Sequence, residues 1–260
     1  MSVKKNVDLK DIERFNKQSK EWWDPNGVER CLHAMNYMRV PWVFNRLKEI
    51  NYLKKDAKNL EGLLILDAGC GGGIYSEGLA KIGAKVVGLD CAKELLDVAL
   101  NHLNTQYDIK DKVSYVCETI EEHSSKNECK YDVIVCSEVI EHIIDKRSFL
   151  ESCIKTLKPG GSIFMTTISH TFIAWFFTKL LGEYILGLIE RGTHDFKLFI
   201  NHEDLSKILE NFNTKTVSVK GTFYNIFAIG QENKWRFNNF PSVSYALHAV
   251  KDNYFDVDIV

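Results

Sequence analysis

The chain has 260 residues, 45% of them hydrophobic and 26% charged, with a formal net charge of −2, which is an ordinary balance for a soluble globular protein. It lacks the strong basic excess of a nucleic-acid-binding surface, so no nucleic-acid partner is expected. The length suffices for one large α/β domain. With four prolines, no repeat and no linker-like segment, we predict a single domain over residues 1–260.

The predicted elements begin with helices, up to about residue 55, where Asp8 can cap a helix that starts near Leu9. From there on, short apolar strands alternate with helices. Strands are predicted at 63–67, 85–90, 113–117, 131–137, 162–167, 214–221 and 244–250, and helices at 78–82, 93–103 and 146–157. Such strands are typical of a parallel sheet covered on both faces. The last two have no clear helix between them, which predicts an antiparallel pair at one edge.

A glycine-rich turn follows the first of these strands. Asp67, Gly69, Gly71 and Gly73 occupy alternate positions, and glycine lets the backbone approach a ligand closely and reach positive φ. Asp90 ends the next strand, where a carboxylate can accept both hydroxyls of a ribose. The glycine spacing differs from the dinucleotide pattern, and the carboxylate of Asp67 suits a cationic amino-acid group better than a pyrophosphate. These features predict an S-adenosylmethionine site.

Nearly the whole chain resembles the ubiquinone-biosynthesis O-methyltransferases, a family within the class I methyltransferases. The motifs that carry the resemblance include Trp22-Trp23-Asp24-Pro25, Leu32-His33-Ala34-Met35-Asn36, Ser137-Glu138, Glu141-His142, Gly192-Thr193-His194 and Tyr245-Ala246-Leu247-His248. Many methyltransferases share the glycine loop, whereas the Trp-Trp-Asp-Pro and Gly-Thr-His elements are more particular. We therefore predict a doubly wound, Rossmann-like, mostly parallel sheet of seven strands with one antiparallel edge strand and an amino-terminal helical lid over residues 1–55.

The resemblance also implies where the cofactor is held. In that family an arginine at the position of Arg39 helps to bind the methionine carboxylate, which suits its fork of donors. The alternative is a surface arginine on the amino-terminal helix. The predicted cofactor-binding residues are Arg39, Asp67, Gly69, Gly71, Asp90 and Ser137.

Acidic side chains follow the third and fourth strands. Glu118 is either a neighbour of the adenine or a solvated acid. Glu138, Glu141 and His142 are spaced i, i+3, i+4, so in a helix they would project from one face, toward the strand ends where such sheets bind ligands. The resemblance implies that they bind Mg²⁺, which would lower the pKa of a catechol hydroxyl. In metal-free relatives the glutamate is structural and the histidine a base or packing residue. We predict Glu141 and His142 to be catalytic.

An apolar segment, 171–189, lies within a predicted membrane- or substrate-facing insert over 168–200. Lys179 and Glu183 interrupt it too closely for a membrane span, so an interfacial helix or a flap fits better than a span; the other alternative is a core-facing helix. Since a polyprenyl substrate resides in the bilayer, we expect a peripheral membrane protein. It would lie on the matrix side of the mitochondrial inner membrane in a eukaryote, or on the cytoplasmic membrane face in a bacterium.

The reaction implied by the resemblance is methylation of a catechol hydroxyl on a polyprenylated dihydroxybenzoate or a demethylubiquinol, by in-line transfer to the phenolate oxygen. Other ubiquinone-synthesis proteins are possible partners. Two alternatives stay open. One is a related quinone or small-molecule C-methyltransferase that needs no metal, and the other is a non-catalytic, cofactor-binding scaffold. The first eight residues lack the apolar stretch of a signal peptide and the arginine-rich, acid-poor composition of a transit peptide. We therefore expect either a protein that stays where it is made or one whose targeting segment lies outside this sequence.

Overall fold

The computed structural model describes residues 6, 13–14, 16, 19–27, 29–176, 195–225, 227–228 and 233–253. The helices of this part are α1 Arg30–Glu49, α2 Ile74–Lys81, α3 Lys93–Leu103, α4 Ile120–Ser124, α5 Lys146–Thr156, α6 Phe172–Trp175 and α7 His202–Glu210. The strands are β1 Leu64–Ala68, β2 Lys85–Asp90, β3 Val113–Cys117, β4 Tyr131–Ser137, β5 Leu157–Ile168, β6 Thr214–Tyr224, β7 Trp235–Asn238 and β8 Ser244–Lys251. Short 3₁₀ turns cover Ser19–Glu21, Ile140–His142 and Phe196–Leu198.

These strands form one sheet in the order β3-β2-β1-β4-β5-β8-β6-β7. The first five strands in this order run parallel to one another. Strand β8 pairs antiparallel with both β5 and β6, and β7 pairs antiparallel with β6. The Rossmann-like fold and its antiparallel edge are thus confirmed, but the described part of the chain has eight strands and not seven. The extra strand is β7, whose four residues pair with β6 and are too few to show a clear alternating pattern.

The core lies on both faces of the sheet, as the apolar strands predict. In β4, Ile134 and Cys136 pack in a buried cluster with helices α5 and α7. Val133 and Val135 pack in a second cluster with α1 and α2. Successive side chains of a strand point to opposite faces, so a central strand that is covered twice must be apolar at nearly every position.

The amino-terminal region contributes to the core as well as to the site. Helix α1 contains Pro41, and two of its side chains in the half that follows, Val43 and Leu47, are fully buried against the sheet. Just before α1, the turn Ser19–Glu21 contacts helix α3, and Trp22 packs on the glycine loop. The predicted cap Asp8 lies outside the described residues.

Only the first part of the predicted insert over 168–200 is described, up to Phe176. Thr171 caps α6, because its Oγ1 accepts a hydrogen bond from Ala174 N. Residues 177–194, with Lys179, Glu183 and the Gly-Thr-His motif, lie outside the described residues. None of the helices in the described ranges has the length and hydropathy required to cross a bilayer.

Candidate active site

The glycine loop connects β1 to α2 and lies at the carboxyl ends of the parallel strands. Gly69, Gly71 and Gly73 have φ values of +80°, +53° and +87°, a region that L-residues seldom adopt. A Cβ on Gly71 would lie only 2.8 Å from the Trp22 ring, and one on Gly69 only 2.5 Å from Val139. The loop thus needs glycine both for its backbone conformation and for close packing.

Asp90 holds this loop in place from the end of β2. Its Oδ2 accepts a 2.9 Å hydrogen bond from Gly71 N, and its Oδ1 accepts one of 2.8 Å from Ala92 N. Burial raises the pKa of Asp90, and these backbone donors counteract the shift. A carboxylate fixed in this way presents its remaining lone pairs at a constant position, which fits the predicted ribose contact.

Asp67, at the end of β1, is buried and accepts a 2.6 Å hydrogen bond from Ser76 Oγ. Burial raises its pKa to about 6, while the bond from Ser76 and the charge of Arg39 lower it. The charge of Asp90 raises it further, so two carboxylates lie near each other. This is a surrounding that favours a cationic ligand group.

Arg39 lies inside the site and not on the surface, with only 3% of its area exposed. Its Nη1 donates to Ser137 Oγ at 2.7 Å, its Nε donates to Asn36 Oδ1 at 2.7 Å, and its guanidinium lies 4.0 Å from the centre of the Tyr75 ring. Burial lowers its pKa, and Tyr75 and nearby carboxylates favour the charged form. The surface alternative is therefore wrong. The structure brings Arg39 and Ser137 together, and their contact with the cofactor stays a prediction.

Two tryptophans that sequence reasoning did not place in the site contact the glycine loop. Trp22 packs on Gly71 and Gly72. Trp23 Nε1 donates a 2.9 Å hydrogen bond to Gly72 O, and the Trp23 ring stacks on His102 with 3.4 Å between ring centres. The Trp-Trp-Asp-Pro motif signalled their importance, but nothing in its spacing indicates which element they contact.

The segment after β4 does not form a helix from which Glu138, Glu141 and His142 would project on one face. Glu138 has a φ of +57°, and only the short 3₁₀ turn Ile140–His142 follows. Glu138 and Glu141 accept 2.7 Å hydrogen bonds from Thr166 and Thr167 of β5. Within the described ranges, no three histidine, cysteine or acidic side chains are arranged to hold a metal. The prediction of one helical face was wrong, because the chain turns at Glu138.

The charges of the two glutamates nevertheless interact. Burial is the largest cause that raises the pKa of Glu138 to about 8, and the charge of Glu141 is the second. The hydrogen bond from Thr166 and the charge of Arg39 act in the opposite direction. Glu141 is 1% exposed, and its Oε1 is buried without a hydrogen-bond partner among the described residues. A buried oxygen of this kind costs free energy unless a proton or a cation binds it.

Glu118 belongs to a hydrogen-bonded network beside the site. Its carboxylate accepts bonds from His123 Nδ1 at 2.6 Å and from Lys126 Nζ at 3.1 Å, and Tyr131 Oη donates to the other ring nitrogen of His123 at 2.6 Å. Burial would raise the pKa of Glu118, but these donors bring it below its ordinary value. The reading as a freely solvated acid was therefore wrong.

An exposed apolar patch lies beside the carboxyl end of β5, and we define it by Phe172, Ile173 and Phe240, which are 73%, 51% and 76% exposed. Thr171 Oγ1 donates to the backbone carbonyl of Ser242, which fixes the start of α6 to the loop before β8. Side chains of this size exposed together mark an interaction site more often than single exposed ones do.

The comparisons with known proteins agree with this geometry. Residues 66–165 match the family model "Methyltransferase domain". The chain is 36% identical to the ubiquinone biosynthesis O-methyltransferase of Proteus mirabilis, over 95% of this chain and 94% of that protein. It is 37% identical to the mitochondrial ubiquinone biosynthesis O-methyltransferase of Dictyostelium discoideum, over 93% of this chain and 77% of that protein.

Among solved structures, the chain resembles magnesium protoporphyrin IX methyltransferase from Synechocystis PCC 6803 with bound SAH. The TM-score is 0.63 at 18% identity, over 92% of this chain and 94% of that one, which shows a common fold. Sequence identities of more than a third over almost the whole of this chain show the family as well as the fold. The chain belongs to the ubiquinone biosynthesis O-methyltransferase family and is an S-adenosylmethionine-dependent O-methyltransferase.

Proposed function

We propose that this enzyme methylates a catechol hydroxyl of a polyprenylated ring, either a dihydroxybenzoate or a demethylubiquinol. The observation that carries the proposal is the similarity to ubiquinone biosynthesis O-methyltransferases along almost the entire chain. The arrangement of the site supports it, because Glu138 follows directly after Ser137, the residue that Arg39 contacts, and Glu141 lies three residues further along. An acidic acceptor site thus adjoins the cofactor site at the end of one strand.

In this proposal the chain's own residues bind and orient the two reactants. Asp90 accepts the ribose hydroxyls, and Arg39 binds the methionine carboxylate. The cofactor's methyl group then faces the region after β4, where a phenolate oxygen can attack it in line. Methyl transfer of this kind needs close approach and a deprotonated oxygen more than it needs covalent help from the protein.

We further propose that Glu138 and Glu141 together hold a divalent cation such as Mg²⁺. The interaction between their charges and the unpartnered Oε1 of Glu141 support this, since carboxylate oxygens are the ligands that Mg²⁺ prefers. When bound, the ion would lower the pKa of the catechol hydroxyl. Among the described residues, no third histidine, cysteine or acidic side chain, His142 included, completes a metal-binding group with the two glutamates. The proposed protein ligands are therefore the carboxylate oxygens of Glu138 and Glu141 alone.

The deciding experiment measures transfer of a labelled methyl group from S-adenosylmethionine to a short-chain prenylated catechol, with purified full-length protein. We expect an O-methylated product, loss of turnover with a chelator, and recovery when Mg²⁺ is added. Full activity of the metal-stripped protein would refute the metal proposal alone. A product methylated on a ring carbon would favour the C-methyltransferase alternative, and cofactor binding without turnover on any ring would favour the scaffold.

The apolar patch of Phe172, Ile173 and Phe240 supports a peripheral position on a membrane, because a polyprenylated substrate resides in the bilayer. We propose that the patch docks on the lipid surface beside the substrate's head group. The names of the eukaryotic relatives describe those proteins as mitochondrial, so in a eukaryotic cell we propose the inner membrane of that organelle, and in a bacterium the cytoplasmic membrane face. Other ubiquinone-synthesis proteins are proposed partners there.

A further inference from the structure

The indole of Trp22 lies directly on the glycine loop. A Cβ on Gly71 would come within 2.8 Å of its Cζ2, and a Cβ on Gly72 would come within 2.5 Å of its Nε1. The side chain is 5% exposed and packs with Ile74 and Leu95. The ring therefore forms one wall of the space above the loop, and its nitrogen faces the part of the loop nearest to Gly72.

The indole N–H of Trp22 is buried and has no acceptor among the described residues. Two other indoles of the chain behave differently: Trp23 donates to Gly72 O and Trp235 donates to Cys31 O. Buried tryptophans usually find a partner for this donor, and an unsatisfied donor is costly enough to be rare. The missing acceptor of Trp22 is therefore a signal that a ligand completes the site.

Helix α1 places Trp22 and Arg39 at the same side of the loop. His33 Nε2 contacts Trp22 O at 2.9 Å, Asn36 Nδ2 donates to Ile74 O at 2.7 Å, and Arg39 extends from the same helix to Ser137. These three helix residues are spaced by three positions and so share one face of α1. Through these contacts, helix α1 holds the turn before it, the start of α2 and the end of β4 at fixed positions relative to one another.

We propose that Trp22 Nε1 donates a hydrogen bond to the carboxylate of the cofactor's methionine half, next to Arg39. The cofactor's sulfonium and ammonium groups are cationic and accept nothing, while its carboxylate is a stronger acceptor than the ribose oxygens and the adenine ring nitrogens. Arg39, the predicted partner of that carboxylate, lies on the same helix as His33, which contacts Trp22 O. Trp22 thus binds the amino-acid half of the cofactor, and this inference rests on the glycine loop being the cofactor site.

The test is the substitution Trp22→Phe, which keeps an aromatic wall and removes only the donor and part of the ring. Affinities for S-adenosylhomocysteine and for methylthioadenosine, which lacks the amino-acid half, are measured by titration calorimetry on the full-length protein. Trp235→Phe is the matched control, since its indole donates to a backbone carbonyl away from the loop. Thermal unfolding of all three proteins shows whether the fold is kept.

We expect Trp22→Phe to weaken S-adenosylhomocysteine roughly 10-fold or more, as for a lost bond to a charged group, and to leave methylthioadenosine unchanged. An equal loss for both ligands would mean that Trp22 only packs the loop, and no loss for either would mean that it makes no contact; both results overturn the proposal. If the wild-type protein binds neither ligand, the cofactor site itself is misassigned.

Discussion

Arg39 Nη1 donates a 2.7 Å hydrogen bond to Ser137 Oγ, which also lies 2.6 Å from Thr166 Oγ1. This contact joins helix α1 to the ends of β4 and β5. The same threonine donates to Glu138, so a single chain of hydrogen bonds runs from the proposed cofactor-binding arginine to the proposed acceptor site.

Arg39→Lys should raise the KM for S-adenosylmethionine roughly 10- to 100-fold, since a lysine keeps the charge but cannot bond Ser137, Asn36 and a carboxylate together. Steady-state kinetics with varied cofactor measure the effect. The matched control is Arg147→Lys, whose guanidinium lies 5.0 Å from the Phe212 ring on another helix. An unchanged KM in Arg39→Lys would remove this residue from the cofactor site.

Asp90→Asn should weaken S-adenosylhomocysteine by about 10-fold or more, because the amide cannot accept from the loop and from both ribose hydroxyls. Asp132→Asn is the control. Asp132 accepts hydrogen bonds from Tyr52, Leu64 N and Lys158 near the opposite end of the same sheet. The control should lower the unfolding temperature and leave the dissociation constant unaltered. Equal binding losses in the two variants would show that Asp90 acts only through the fold.

Glu141→Gln should raise the Mg²⁺ concentration needed for half-maximal turnover by roughly 10-fold or more, since an amide is a neutral and weaker ligand for a hard cation. Activity is titrated with Mg²⁺ in chelator-treated enzyme. Glu151→Gln, at an exposed position on α5, should behave like the wild type. A variant that loses turnover with an unaltered Mg²⁺ dependence would place Glu141 outside the metal site.

His248 should make the protein less stable in mild acid. It is fully buried, stacks on Phe164 and receives a hydrogen bond from Arg46. Burial, together with the Arg46 charge, lowers its pKa to about 3 from 6.5. Its contribution to stability is complete above pH 6.5, where the unfolded chain is also neutral. The contribution is lost as the pH falls toward 3, since only the unfolded chain takes up the proton.

The expected slope of the free energy of unfolding is at most about 1.4 kcal/mol per pH unit between those values. His248→Gln removes the titrating group, and denaturant unfolding from pH 8 to pH 4 compares the two proteins. The stability gap between wild type and variant should shrink as the pH falls. Parallel curves over this range would show that His248 does not titrate as described.

The double variant Phe172→Glu and Ile173→Glu should release the protein from liposomes, because charged groups do not enter the acyl boundary. Sedimentation with anionic liposomes measures the bound fraction. Tyr107→Glu replaces another strongly exposed aromatic residue, one that precedes β3 and so lies toward the amino ends of the parallel strands. It should leave binding unchanged. Equal sedimentation of all three proteins would contradict membrane docking through the apolar patch.

Sequence periodicity predicted the parallel half of the sheet well, because buried strands must be apolar along their whole length. It failed where local signals were weak or misleading. Strand β5 begins at Leu157, although Pro159 and two glycines favour a loop there. It also missed α7, a helix of only nine residues in which Leu205, Ile208 and Leu209 face the core.

The candidate site was predictable to the extent that it depends on motif chemistry. The residue types and the spacing of the glycine loop and Asp90 indicate what they bind, and in the structure Asp90 accepts a hydrogen bond from the loop. The turn at Glu138 and the packing of Trp22 depend on long-range contacts, with Thr166 and with the glycine loop. No spacing along the chain encodes such contacts, so the expected helical arrangement after Ser137 was wrong and the tryptophan wall was missed.

The position of β8 has a consequence for how the protein is made. This strand, which ends at Lys251, lies between β5 and β6, so β6 and β7 join the parallel strands only through it. During folding, the facing edges of β5 and β6 therefore stay unpaired until β8 inserts between them, and unpaired strand edges are places where chains associate wrongly. The antiparallel half of the sheet thus cannot join the parallel half before the strand that follows both of its neighbours in sequence is in place.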